Sequence, residues 1–167
     1  EDGLIRHMSV STHMSSQEMK DVIDEGIFES ILCGYNVLNF RLRGEGISRA
    51  KERGMGVVVM NPLGGGLVPE FTDVLAHLPR DPDQPVLNAA LDFVWSNDDI
   101  DVALVGMRSV SDVDDAARAM ELYTPPDAAW REKVSAAPLR AEGDLCTSCC
   151  YCTGCPVEIP VHKYLDA

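Results

Sequence analysis

The chain has 167 residues, 46% of them hydrophobic, and a formal net charge of −13. This length bounds it to one domain with room for a small appendage, and the acid excess excludes nucleic acid and anionic lipid as partners of the chain as a whole. No apolar run approaches the ~20 residues that cross a bilayer, and no charged-then-apolar signal opens the sequence.

The first residues, Glu1-Asp2-Gly3, read as an entry from an upstream segment rather than a start. Residues 4–12 alternate apolar and polar and predict a short strand. Ser15-Ser16-Gln17-Glu18 is a capping-box pattern that opens a helix carrying Met19, Val22 and Ile23, and Gly26 stops it. Ser30–Tyr35 reads as a buried strand, with Cys33 as a core thiol. A helix is expected over 45–53 from Ile47 and Ala50, ending at Gly54. Gly56–Met60 is β-branched on both sides, the mark of a strand buried on both faces. Asn61-Pro62-Leu63-Gly64-Gly65-Gly66 is a loop, and residues 69–84, rich in Pro and Asp, form a long connection with a short helix. Pro85 starts a helix with a stripe of Leu87, Ala90, Leu91, Val94 and Trp95. A fourth strand spans 101–106. Ser109 or Ser111 caps a helix with Val110, Val113, Ala117 and Met120 on one face, and Thr124-Pro125-Pro126-Asp127 opens a last helix with Trp130 and Val134.

Five of the six cysteines follow, in Cys146-Thr147-Ser148-Cys149-Cys150-Tyr151-Cys152-Thr153-Gly154-Cys155-Pro156. Cys146, Cys149, Cys152 and Cys155 recur with two residues between neighbours, and Pro156 follows the last. Thiolate runs of this kind, ending in Cys-Pro, commonly hold iron–sulfur clusters, and one [4Fe–4S] cluster on these four is the simplest count. Zinc uses Cys-x-x-Cys pairs that are usually well separated, and disulfides need an oxidising compartment and spaced partners; both fit this run less well. Cys150 reads as an unligated neighbour. Clustered thiols without a secretion signal fit a reducing cytoplasm.

Strands alternating with helices argue for an α/β fold, a parallel sheet with helices packed on it. In such sheets chemistry gathers at the carboxyl ends of the strands. Those ends are Ser11-Thr12-His13, Tyr35-Asn36, Asn61-Pro62-Leu63-Gly64 and Gly106-Met107-Arg108-Ser109, all polar or Gly-rich. His13, at the first of them, is a candidate substrate contact, although a His in such a loop is more often solvated or a packing group.

Taken in order, Ser9-Val10-Ser11-Thr12, Tyr35-Asn36, Asn61-Pro62-Leu63-Gly64 and Gly106-Met107-Arg108-Ser109 resemble the strand ends of the C-terminal half of an aldo/keto reductase. The Cys run resembles the ferredoxin-like appendage of that family's iron–sulfur branch. The resemblance implies the C-terminal half of a (β/α)8 TIM barrel, with four parallel strands alternating with helices, plus a small Cys-rich iron–sulfur segment. The expected division is half-barrel over 1–125, connecting helix over 126–142 and cluster segment over 143–167. NADPH or NADH would drive reduction of a small carbonyl substrate. Ser11 and Thr12 would face the nicotinamide carboxamide, and Met60 would stand where the family often stacks a Tyr. Asn61 and Leu63 would line the pyrophosphate path, and Arg108 and Ser109 would meet the ribose 2′-phosphate.

The sequence departs from that pattern at Leu32, where the family has an amide-binding Gln, and at Asp112 and Ala116, where it commonly reads adenine. The family's catalytic Tyr, Asp, Lys and His belong to the first half of the barrel, and Tyr35, Tyr123, Tyr151 and Tyr164 match none of those motifs. An oxidoreductase completed by an N-terminal half, or by self-association across an open sheet edge, is therefore expected, with a redox partner for the cluster. The competing expectation is a non-enzymatic electron-transfer or metal-binding subunit on a barrel-derived scaffold.

Overall fold

A computed structural model describes residues 3–137, 154–157 and 159. Four strands, β1 (Ser9–Thr12), β2 (Ser30–Gly34), β3 (Gly56–Met60) and β4 (Val102–Leu104), form one sheet in the order β1-β2-β3-β4. Every pairing is parallel. The helices are α1 (Ser16–Asp24), α2 (Phe40–Glu52), α3 (Leu67–Glu70), α4 (Val86–Trp95), α5 (Val110–Glu121) and α6 (Ala128–Ala136).

Parallel neighbours joined by right-handed crossovers, in unbroken chain order, carry their helices on one face of the sheet. The register sorts the strand residues accordingly. Val10, Ile31 and Val57 form one cross-strand row, and Thr12, Cys33, Val59 and Ala103 a second. These rows lie beneath the helices, with Ile31, Cys33, Val57 and Val59 buried in the main core beside Met19, Ile47, Ala50 and Phe93. The alternate residues, Ser11, Leu32, Val58 and Val102, then Met60 and Leu104, lie on the opposite, open face. There Leu32, Val58 and Met60 are half-buried, while Val102 and Leu104 are exposed.

Both outer strands are shorter than the sequence predicts. β1 occupies only the end of the expected 4–12, leaving Leu4 and Ile5 exposed, and β4 only the middle of 101–106. A strand forms only where a partner takes its hydrogen bonds. Ser30 is the first residue of β2, and ahead of that register the described residues of β1 and β2 are joined by Glu29 N–H to the Met8 carbonyl. At the amino end of the sheet the Asp101 carboxylate accepts the Val57 N–H at 2.8 Å and an ion pair from Lys51 Nζ at 2.5 Å. That pairing closes the entry to β3.

The helix signals are carried out with three differences. Ser15 opens α1, with its N–H on Glu18 Oε2 at 2.9 Å, and Gly26 ends the turn at φ +69°. α2 begins five residues before the expected 45–53. Its buried side is Arg43, Gly46, Ile47 and Ala50, and a Cβ on Gly46 would lie 3.0 Å from Met19. The glycine is what lets α2 approach α1. The short helix expected in the 69–84 connection is α3, which begins two residues ahead of it at Leu67. The third difference is α5, which is capped by Ser109 but does not bury its expected stripe. Val110, Val113 and Met120 are exposed, and Ala119 is its buried residue. α5 follows the last strand, and among the described residues no strand lies beyond β4 for that stripe to cover.

α4 and α6 close the helix layer. Asp92 on α4 is 3% exposed, and its carboxylate accepts Arg80 at 2.6 Å and Gln84 at 2.8 Å. Burial raises its pKa, against the opposing pull of Arg80 and Gln84. Asp127 caps α6 by accepting the Trp130 N–H at 2.8 Å, and the Trp130 indole donates to the Leu78 carbonyl at 2.8 Å. The connecting helix expected within 126–142 thus packs on the core. The cluster segment expected over 143–167 lies outside the described residues except for 154–157 and 159.

The α1–α2 contact gives a paired test. Gly46→Val should lower stability by roughly 1–3 kcal/mol through overpacking. Gly44→Ala, whose added Cβ meets nothing within 4 Å, should raise it by about 0.5–1 kcal/mol. Urea unfolding of the two variants checks both signs.

Candidate functional site

Because all strands run the same way, their carboxyl ends share one edge of the sheet, and the expected site residues are carried there. At the end of β1, Ser11 is exposed on the open face. Thr12 faces the helices, 7% exposed, and its Oγ1 accepts the Met14 N–H at 2.9 Å. The same exit is gripped by Arg43, which is 2% exposed. Its guanidinium donates to the carbonyls of His13 at 2.7 Å, Met14 at 3.1 Å and Gly34 at 3.4 Å. A buried guanidinium is costly unless its donors are satisfied. Here they tie the loop leaving β1 to the end of β2. Sequence patterning missed this residue, since an Arg followed by Gly44, Glu45 and Gly46 on a helix resembles a solvated one.

His13, beside it, has its pKa lowered, first by burial and then by the Arg43 charge. Both causes favour the uncharged imidazole over the imidazolium.

At the ends of β2 and β3, Tyr35 turns under the sheet. It is 3% exposed, stacks on Phe93 with ring centroids 5.9 Å apart, and burial pushes its phenol upward. Asn36 is 2% exposed and donates through Nδ2 to the Asn61 carbonyl at 2.8 Å. Asn61 has φ +56°, the one positive φ among the described non-glycine residues. The loop continues through buried Pro62 and half-buried Leu63 into Gly64, Gly65 and Gly66, with φ of +66°, +68° and +112°. Met60 stands on the open face, with Gly34 and Leu104 as its register partners.

At the end of β4, Arg108 and Ser109 are exposed. Three of the backbone donors at the start of α5 are already engaged. Asp112 Oδ2 accepts the N–H of Arg108 at 2.7 Å and of Ser109 at 3.1 Å, while Ser109 Oγ accepts the Asp112 N–H at 3.2 Å. These bonds, with the Arg108 backbone contact first, hold the Asp112 carboxyl below the ordinary range. The Ser109-x-x-Asp112 spacing is the sequence signal for this cap.

Of the four expected cluster ligands, Cys155 is described. It is half-buried, and the N–H groups of Val157 and Ile159 lower its thiol pKa. Cys146, Cys149 and Cys152, with Cys150, lie outside the described residues. Among the described residues no group of three or more His, Cys, Asp or Glu side chains is placed to hold a metal. Cys33 is a core thiol, its pKa raised to about 11, first by burial.

No family model matches the chain, and no curated protein does. Solved structures do. The holo form of the aldo-keto reductase AKR11C1 from Bacillus halodurans superposes with a TM-score of 0.67 at 24% identity, over 80% of this chain and 50% of that one. Its apo form gives the same TM-score and identity, over 80% of this chain and 51% of that one. The chain therefore shares the fold of part of an aldo-keto reductase barrel and spans about half the length of these neighbours. At this identity the likeness establishes the fold.

The burial of His13 sets a pH dependence. With a folded pKa below the ordinary 6.5, the native state binds this proton less readily than the unfolded chain. Its contribution to stability is then complete above that value and is lost as pH falls through the folded pKa. NMR titration of the His13 ring should give a midpoint below 6.5, and His13→Gln should remove that part of the acid loss seen in urea unfolding.

Proposed function

We propose that the chain is the cofactor-carrying half of an aldo/keto reductase-like oxidoreductase, with a [4Fe–4S] cluster held by Cys146, Cys149, Cys152 and Cys155. The observation that carries this reading is the line of strand ends. Ser11, Met60, Asn61, Leu63, Arg108 and Ser109 belong to consecutive carboxyl ends of one parallel sheet in unbroken order, the edge at which such folds bind ligands. A nicotinamide nucleotide bound along it would supply a hydride to the carbonyl carbon of a small aldehyde or ketone, whose oxygen then takes a proton. In that role Ser11 orients the carboxamide, Met60 gives the ring an apolar wall, and Arg108 lies at the adenosine-ribose end of the nucleotide.

The proton donor is proposed to come from elsewhere. Tyr35 packs on Phe93 and Tyr123 on Trp95, and neutral His13 is a poor acid. Four further parallel strands would supply that donor and would cover Leu32, Val58 and Val102 on the open face. Self-association across the β1 and β4 edges is the alternative closure. Held in thiolate ligation, a [4Fe–4S] cluster would supply single-electron chemistry or a structural staple, and Cys155, already accepting backbone N–H groups, is suited to ligate it. A redox partner and a reducing, cytoplasmic setting follow from the same thiols.

Asp112 favours a finer reading of the cofactor. A 2′-phosphate at the start of α5 would meet a carboxylate that already takes the Arg108 and Ser109 donors. A free ribose 2′-hydroxyl could instead donate to such a carboxylate, so NAD(H) is proposed over NADP(H). The same feature favours a second function: if neither nucleotide binds, the chain is an electron-transfer or metal-binding subunit on a barrel-derived scaffold.

Three measurements test these proposals. Anaerobic purification should give a brown protein with ~4 iron and ~4 sulfide per chain, and Cys155→Ser should lower both; a colourless protein carrying zinc would overturn the cluster. Fluorescence titration of the completed barrel should show NADH binding more tightly than NADPH, and no binding of either would leave the second function. Asp112→Ser should then shift the NADPH-to-NADH affinity ratio toward NADPH by roughly tenfold, about 1.4 kcal/mol.

A further inference from the structure

The loop after β3 takes an unusual path. Asn61 holds a left-handed backbone conformation at φ +56°, and Gly64, Gly65 and Gly66 follow at positive φ. Glycines adopt that region freely; Asn enters it more readily than other side-chain-bearing residues, at a small cost that a fixed partner offsets. The Asn61 carbonyl accepts two hydrogen bonds, from Gly64 N–H at 2.9 Å within its own loop and from Asn36 Nδ2 at 2.8 Å across from β2.

Asn36 is fixed independently of Asn61. Its Oδ1 accepts the N–H of Leu38 at 2.9 Å and of Asn39 at 3.2 Å, and its own N–H donates to Asn39 Oδ1 at 2.9 Å. Asn36 and Asn39 are 2% and 8% exposed. An amide oxygen that takes two backbone donors must turn its NH2 group the other way, and the Asn61 carbonyl is what that group meets. Further along, a Cβ on Gly64 would lie 3.2 Å from Leu38 Cδ1, so the loop also rests on the residue that Asn36 hydrogen-bonds.

We propose that Asn36 is a positioning residue: its side-chain amide holds the Asn61 backbone in the left-handed conformation and so sets the path of residues 61–66 before any ligand arrives. This rests on the proposed function only for its consequence, that the preset loop lowers the ordering cost of a nucleotide diphosphate lying along it. Asn36 touches no reacting atom. Its effect passes through the main chain of Asn61.

Asn36→Asp removes the one donor while keeping the acceptor for Leu38 and Asn39. Hydrogen exchange of the full chain should then rise about tenfold in residues 61–66 and stay within about threefold over β2 and β3. Asn61→Gly, which takes φ +56° freely, should return at least half of that change when added to Asn36→Asp, a rescue that general loosening would not produce. Asn36→Ser serves in the same cycle if the aspartate does not fold. Unchanged exchange at 61–66, an equal rise throughout the sheet, or no rescue by glycine overturns the proposal. In the completed barrel NADH affinity should fall about tenfold in Asn36→Asp and recover with glycine at 61. If the unsubstituted barrel binds no NADH, the nucleotide reading fails while the exchange result still decides the role of Asn36.

Discussion

A parallel sheet whose strands follow chain order can be covered by its own crossover helices on one face only. That constraint governs the rest of this molecule. It puts Ile31, Cys33, Val57 and Val59 into a core with α1, α2 and α4, and it leaves Ser11, Leu32, Val58, Met60, Val102 and Leu104 on a face with nothing of the described chain against it. The short outer strands and the exposed stripe of α5 have the same origin. Each is an element whose second neighbour is not among the described residues.

Much of this was legible in the sequence because local signals and tertiary demands agree there. Gly56–Met60 forms the expected central strand, although its second face, with Val58 and Met60, is half-buried rather than buried, and the Ser15–Glu18 box starts α1 where the pattern places it. The misses occur where a long-range contact overrides the local pattern. Gly44 and Gly46 obscure the first half of α2, yet Gly46 is what admits Met19. Arg43 reads as surface and is buried because three carbonyls from distant loops converge on it. The α5 stripe was legible as a periodicity, but periodicity does not say whether a partner is present.

The strand-end residues show the same division. Ser11, Asn36, Asn61, Arg108 and Ser109 are recognisable in order along the chain, since the topology alone brings carboxyl ends together. Their second partners are not recognisable. Thr12 turns inward onto the Met14 N–H, and Asn36 is engaged with the main chain on both sides. Asp112 takes the Arg108 and Ser109 N–H groups just ahead of its own helix. Side-chain-to-backbone bonds of this kind depend on φ and on loop approach, which composition and spacing do not carry. The result is an edge whose loops are largely held by internal bonds.

The Asp101 pairing at the amino end has a consequence of a different sort. Lys51 and the Val57 N–H converge on one carboxylate there, so the register of β3 against β4 is anchored at the end of the sheet farthest from the loops that follow β3 and β4. Insertions or replacements in those loops leave the anchor untouched. Such a layout lets the loops at the carboxyl rim diverge rapidly among descendants while the scaffold beneath them stays recognisable, which is how a fold outlasts the similarity of its sequences.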